Sequence, residues 1–386
     1  MKPEPFQIRI PDGDLDDLRL RLERFRAAPD FANDDWRYGV SGDYLRELVP
    51  YWLDDFDWRR EEATINAFEH FRVEIEGVPI HYIRRDGVGP NPIPLVLTHG
   101  WPWTFWDYRY VIEPLADPGA PGGDPADAFD VIVPSLPGFG FSSPLTKPGI
   151  GWMKTADLWA QLMRDVLGFE RFAAGGGDWG AFVTGQLGHK YADLLYGAHE
   201  TFPGVPGLDY YAIDDADYAP EEATLLANRK AKESSITSHM SVQSLDPQTL
   251  AFALDDSPVG LAAWILERRR AWSDCDGDLE RAFTRDHLLT TVCLYWFTHT
   301  IGTSLRFYWE NANQDWKPSH DRQPMIEAPT AFAILPKDNF PIPRRMAEQH
   351  ANLKRWTVFD RGGHFGPAEA PKEVVQDLRD FFRELR

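Results

Sequence analysis

Gly176-Gly177-Asp178-Trp179-Gly180 decides how this chain is read. The stretch follows the short apolar run Phe172–Ala174 and precedes a helical stretch from Ala181 to Tyr191. A strand that turns at once into a helix lifts its apex residue clear of the backbone, and glycines on either side remove the Cβ clashes such a turn would cause. Asp178 stands where a serine nucleophile would otherwise sit. A carboxylate is ionised near neutral pH and needs no base before it attacks an sp³ carbon, and the product is an alkyl ester on the protein. Taken alone, the stretch also fits a Gly-rich turn with a helix-capping Asp.

Two other strand ends narrow the reading. Thr98-His99-Gly100-Trp101-Pro102 follows the apolar run that starts at Pro94. A loop there can supply a backbone N–H to an oxyanion, which assigns one donor to Trp101 and a second to Trp179. His99, Gly100 and Pro102 support the turn, with His99 read as a structural hydrogen-bonding residue. Arg361-Gly362-Gly363-His364-Phe365 follows the last strand, and Leu335-Pro336-Lys337-Asp338 ends the one before it. The order Asp178, Asp338, His364 is nucleophile, acid, histidine. Glu348 and Asp360 are rival acids, but Glu348 falls in a helical stretch and Asp360 is too close in sequence to His364. The chemistry follows from the residue types. Asp178 would be alkylated, His364 would take a proton from the water that hydrolyses the ester, and Asp338 would orient the imidazole.

Around these motifs the chain divides by pattern. Residues 1–70 are charged and helical, with Leu15, Leu18, Leu22 and Phe25 at helix spacing, Asp12 or Asp14 as a cap, and a second helix near Tyr44–Trp52. Residues 71–203 alternate strands and helices, starting with a hairpin around Gly77. Residues 204–320 lose the strand signal and read as a helical insertion. Residues 321–386 return to the alternating pattern. The expectation is an α/β core with a mainly parallel sheet, a helical cap inserted between core strands and an N-terminal extension. The Pro/Gly-rich stretch 117–127 reads as a surface loop.

Composition excludes several classes. A net charge of −20 disfavours nucleic acid and anionic lipid. No segment reaches the roughly 18 apolar residues of a membrane span, and Met1-Lys2-Pro3-Glu4-Pro5 opens no signal peptide. Two cysteines, Cys275 and Cys293, give no disulfide framework, so a cytoplasmic location is expected. No His-Glu-x-x-His, Cys/His cluster or dinucleotide loop is present, so neither metal nor cofactor is expected. The chain is rich in aromatics, with 15 Trp and 24 Phe, and Trp101, Trp103, Phe105, Trp106, Trp179, Trp296 and Tyr308 lie near the motifs. They form either a large aromatic core or, in part, the wall of an apolar pocket.

At these residues the sequence resembles the microsomal-type epoxide hydrolases of the α/β-hydrolase superfamily. The resemblance covers nearly the whole chain: Trp36-Arg37-Tyr38-Gly39, Phe56-Asp57-Trp58-Arg59 and Asn66-Ala67-Phe68 in the extension, then residues 99–102, 176–180, 256–264, 306–311, 332–338 and 362–365. It implies a small-molecule epoxide and water as reactants, and Tyr308 as one of two cap tyrosines that donate to the opening ring. The second tyrosine falls at His239 here, a departure from the pattern. His239 either replaces it as a donor or points into solvent. As a donor, its charged form would be the stronger acid, so alkylation would speed up as pH falls towards its pKa. The membrane anchor of the animal members is not seen, which implies a soluble enzyme, with the oligomeric state open, a homodimer included. Two alternatives share the fold: a haloalkane dehalogenase with the same nucleophile and Trp179 as halide donor, and a non-enzymatic ligand-binding protein. The natural substrate, the pathway (detoxification among them) and the stereochemistry are not legible.

Overall fold

Short apolar runs that end in glycine or polar turns form the centre of one nine-stranded sheet. The computed structural model describes residues 2–120 and 122–386. Met1 and Pro121, the latter inside the stretch expected to be a surface loop, lie outside the described residues. The strands are β1 (Glu4–Phe6), β2 (Glu69–Ile75), β3 (Val78–Arg85), β4 (Ile93–Thr98), β5 (Phe129–Pro134), β6 (Phe172–Gly176), β7 (Leu195–Glu200), β8 (Ile326–Ile334) and β9 (Ala351–Val358). Their order is β1-β2-β3-β5-β4-β6-β7-β8-β9. β1, β2, β3 and β5 pair antiparallel, and every pair from β5 through β9 is parallel. This is the α/β-hydrolase fold. The hairpin around Gly77 forms as expected, with Ile75 paired to Val78. Glu76 and Gly77 have φ of 51° and 72°, as a two-residue I′ turn requires.

β4 lies between β5 and β6, so the chain leaves β4 towards one side and returns on the other. The crevice beyond the carboxyl ends of strands at such a switch point is where ligands bind in open α/β sheets. The loops carrying Trp101 and Asp178 leave β4 and β6 at that point.

Among the described residues no strand interrupts the chain between β7 and β8. That stretch holds the helices Ala223–Leu245, Pro247–Leu254, Pro258–Trp272, Arg285–Thr298 and Ile301–Ala312. Among the described residues no single helix is long and apolar enough to cross a membrane. Cys275 and Cys293 are free and buried.

The N-terminal part differs from expectation in three ways. Helix Asp12–Glu23 starts after Pro11, and neither Asp12 nor Asp14 caps it; both lie in its first turn, where carboxylates still complement the helix dipole. Helix Gly42–Asp54 forms where expected and buries Leu45, Leu48, Val49 and Trp52 on one face. β1 and helix Trp58–Ile65 were not anticipated. Three and eight residues are too few for a period to show. Helix Trp152–Gln161 continues as a single π turn over Leu162–Val166.

Candidate active site

The turn from β6 into helix Trp179–Lys190 gives Asp178 φ 52° and ψ −126°, a conformation rare for any residue with a side chain. The surrounding packing holds it there. A Cβ on Gly180 would lie 1.9 Å from the Thr98 carbonyl oxygen, and one on Gly100 would lie 2.2 Å from Asp178 Oδ1. The two glycines therefore let the β4 loop close over the Asp178 turn. In that position the Trp101 N–H donates to Asp178 Oδ1 at 2.8 Å. The Trp179 N–H belongs to the first turn of its helix, where backbone donors have no acceptor within the helix.

His364 bridges the two carboxylates. Its Nε2 is 3.0 Å from Asp178 Oδ2 and its Nδ1 is 2.6 Å from Asp338 Oδ1. Both His364 and Asp338 are buried. Burial alone would lower the imidazole pKa. The charge of Asp338, reinforced by hydrogen bonds from the imidazole to both carboxylates and by the charge of Asp178, overrides that and raises it to about 9. The rival acids play no part in this contact: Glu348 is exposed and paired with Arg344 at 2.8 Å, and Asp360 is exposed.

His99 is structural. Its Nδ1 lies 2.9 Å from the Gly100 carbonyl and its Nε2 accepts the Leu136 N–H at 3.0 Å, so Nδ1 must carry the proton. Burial pushes its pKa down to about 4, which keeps it neutral. The Pro102 carbonyl accepts from Arg269 at 3.1 Å, so the turn is tethered on its outer side as well.

The helical stretch roofs the site. Tyr308 comes from helix Ile301–Ala312 and His239 from helix Ala223–Leu245, and both are buried. Their rings meet edge to face at 5.4 Å, with the Trp101 indole against both: stacked on His239 at 5.4 Å and edge-on to Tyr308 at 5.7 Å. His239 therefore does not point into solvent. Its surroundings also disfavour the charged form, which bears on the donor role that the sequence left open. Burial, then the neighbouring Arg268 and His364 charges, hold its pKa well below the usual imidazole value. Burial and the Asp178 charge push the Tyr308 phenol well above its ordinary range. A cavity of about 130 Å³ lies between floor and roof, bounded by Asp178, His364, Tyr308 and His239 and walled by rings such as Phe182 and Phe340. Among the described residues no cluster of His, Cys, Asp and Glu could hold a metal ion.

The model of the epoxide hydrolase N terminus matches residues 3–108, and that of the alpha/beta hydrolase fold matches residues 93–197. A Stigmatella aurantiaca protein that bears the epoxide hydrolase name is 40% identical over 99% of this chain and 85% of its own. Epoxide hydrolase 1 of Sus scrofa is 34% identical over 98% of this chain and 88% of its own. The chain belongs to the epoxide hydrolase family. The solved Aspergillus niger epoxide hydrolase superposes with a TM-score of 0.86 at 30% identity, covering 100% of this chain and 97% of that one.

Sequence reasoning missed one part of this epoxide hydrolase-family site entirely. Trp272, the last residue of helix Pro258–Trp272, sets its ring against His364 at 5.3 Å and His239 at 4.8 Å, and its carbonyl accepts the His364 N–H at 2.9 Å. No motif marks it. Of the aromatics singled out in sequence, Trp179 and Tyr308 line the cavity, while Trp103, Phe105, Trp106 and Trp296 are buried core.

Proposed function

We propose that this protein converts an apolar or aryl-substituted epoxide to a vicinal diol through an ester on Asp178. The observation that carries this reading is a single carboxylate held by the Trp101 N–H on one oxygen and by His364 on the other, beneath Tyr308 in an apolar cavity. Asp178 Oδ2 attacks an epoxide carbon, the ring C–O bond breaks, and the oxygen takes a proton from the donors of the roof, Tyr308 with His239 beside it. Asp178 is then a neutral ester. It no longer contributes a charge or a carboxylate hydrogen bond to raise the His364 pKa. The imidazole gives up its proton more readily at the moment a base is needed. His364, oriented by Asp338, takes a proton from water, which attacks the ester carbonyl carbon. The oxyanion forms at Oδ1, against the Trp101 and Trp179 N–H groups. Collapse breaks the bond from the carbonyl carbon to the alkyl oxygen, which leaves as the diol with the proton that His364 took from water, and the proton remaining on the Asp178 carboxylic acid returns to the Tyr308 phenolate. These steps call for no cofactor.

Single turnover in ¹⁸O water tests the reading. The first diol should be unlabelled, because its new oxygen comes from Asp178, and the label should appear in the Asp178 peptide. Label in the first diol would mean direct attack by water. One observation keeps a second reading in view: the Trp179 indole lines the cavity beside Tyr308, and its N–H could hold a leaving halide. Halide release from a bromoalkane, with no diol from any epoxide, would favour that reading.

A further inference from the structure

His364 lies in the loop that follows β9, and its ring must stay aligned with Asp338 on one side and the ester on the other. The backbone around it is fastened by two side chains that no motif marked. Glu369 reaches back along the chain. Its Oε1 accepts the Phe365 N–H at 2.8 Å, and its Oε2 accepts the Gly363 N–H at 3.1 Å and the Asp274 N–H at 2.6 Å. One carboxylate thus holds the residues on both sides of His364 and joins them to the segment that follows helix Pro258–Trp272. The second side chain is Lys232, on helix Ala223–Leu245. Its ammonium donates to the Trp272 carbonyl at 3.1 Å, the same carbonyl that accepts the His364 N–H, and to the carbonyl of Lys337, the residue before Asp338. Asp274 adds a third fastening by accepting the Gly362 N–H at 2.9 Å and pairing with Lys337 at 2.6 Å. The Lys232 charge acts on both Asp338 and Glu369.

We infer that Glu369 and Lys232 are positioning residues for the base: together they lock the His364 loop and the Asp338 turn to the helical roof. Neither touches the cavity. Both act through the backbone on either side of the two residues that carry the proton chemistry. The direction of the geometry gives a sharp consequence. The nucleophile turn, the Trp101 loop and Tyr308 are fastened elsewhere, so the loss of either side chain should misalign only the second chemical step. Misplacing a base by about 1 Å costs on the order of 10²-fold in rate.

The inference rests on the two-step reading above, and rapid mixing separates the two. Wild type, Glu369→Gln, Lys232→Met and Lys232→Arg are mixed with styrene oxide as the probe. The rate of adduct formation on the Asp178 peptide and the rate of its decay to diol are followed by quench and mass spectrometry. Glu369→Gln keeps the shape but turns one acceptor into a donor facing a backbone N–H. It should form the adduct within about twofold of the wild-type rate and hydrolyse it on the order of 10²-fold more slowly. Lys232→Met should shift the partition in the same direction, and Lys232→Arg should recover part of the decay rate by keeping the charge. Wild-type decay in both Glu369→Gln and Lys232→Met, or an equal slowing of both steps, overturns the inference. If Glu369→Gln does not fold, the Lys232 pair decides it by the same partition. If no variant, and not the wild type either, forms an adduct, the two-step reading itself fails and takes the inference with it.

Discussion

The floor and the roof of this site are built by different means. On the floor, the reacting atoms are fixed by backbone: a positive-φ turn at Asp178, a glycine at 100 that admits the carboxylate, and hydrogen bonds of 2.6 to 3.0 Å from Trp101, His364 and Asp338. On the roof, Tyr308, His239 and Trp272 are held by ring contacts of 4.8 to 5.4 Å, and His239 Nδ1 has no hydrogen-bond partner among the described residues. Backbone geometry of the first kind tolerates almost no change, because each element blocks the others from relaxing. Packed rings tolerate exchange for rings of similar volume. The floor should therefore fail in an all-or-none way and the roof by degrees.

The largest effect belongs to Asp178, the proposed nucleophile. Asp178→Asn should lower diol formation on the order of 10⁴-fold or more, with little change in thermal stability, since Asn accepts positive φ as readily as Asp. The same variant tests the electrostatics. Asp178 is one of the groups that raise the His364 pKa to about 9. Removing its charge should lower the His364 titration followed by NMR, and an unchanged value would mean that Asp338 alone sets it. His364→Gln comes next. Its adduct should accumulate on the Asp178 peptide and persist. Loss of activity with no adduct would place His364 in the first step and erase the division of labour between the two steps.

The floor was legible in the sequence because its chemistry is written as contiguous motifs at strand ends. Asp178, Trp101, Asp338 and His364 were each named from a turn of the right kind in the right order, and the structure brings them within hydrogen-bonding distance of one another. The roof was legible only where the resemblance reached, at Tyr308 and His239. Glu369 and Lys232 were invisible because their partners are main-chain carbonyls and N–H groups, which any sequence supplies, and Trp272 because its ring contacts arise only when the helical roof packs onto the site. β1 escaped because three residues are too few for an alternating period to show. The His239 charge was not legible because its pKa depends on burial between Trp101 and Trp272, and burial is a property of the fold.

On the roof, Tyr308→Phe should slow adduct formation on the order of 10²-fold, the usual loss for one donor to a developing oxyanion, and leave adduct decay within about twofold. Equal slowing of both steps would mean that the ring serves packing more than proton donation.

The smallest effect, and the one that most sharpens the contrast, concerns His239. An imidazole that titrated near neutrality would make adduct formation faster as pH falls from 8 to 6. Burial and the charges of Arg268 and His364 hold the pKa of His239 well below 6.5, so its ring stays neutral throughout that range. The adduct-formation rate should then show no acid acceleration due to His239. A neutral imidazole N–H is a much weaker acid than a phenol, whose pKa is near 10, so in this role His239 contributes less than Tyr308. His239→Ala should slow adduct formation by less than Tyr308→Phe does and leave decay unchanged. His239→Tyr places a phenol against Trp101 and should speed adduct formation, provided the larger ring fits beside Trp272 at the cost of roughly 1–3 kcal/mol that overpacking brings. Two results would reverse this picture. An acid acceleration present in the wild type and absent in His239→Ala would make His239 a charged donor after all. Identical adduct-formation rates in His239→Ala and the wild type at every pH would make it packing alone, leaving Tyr308 without help from that side of the roof.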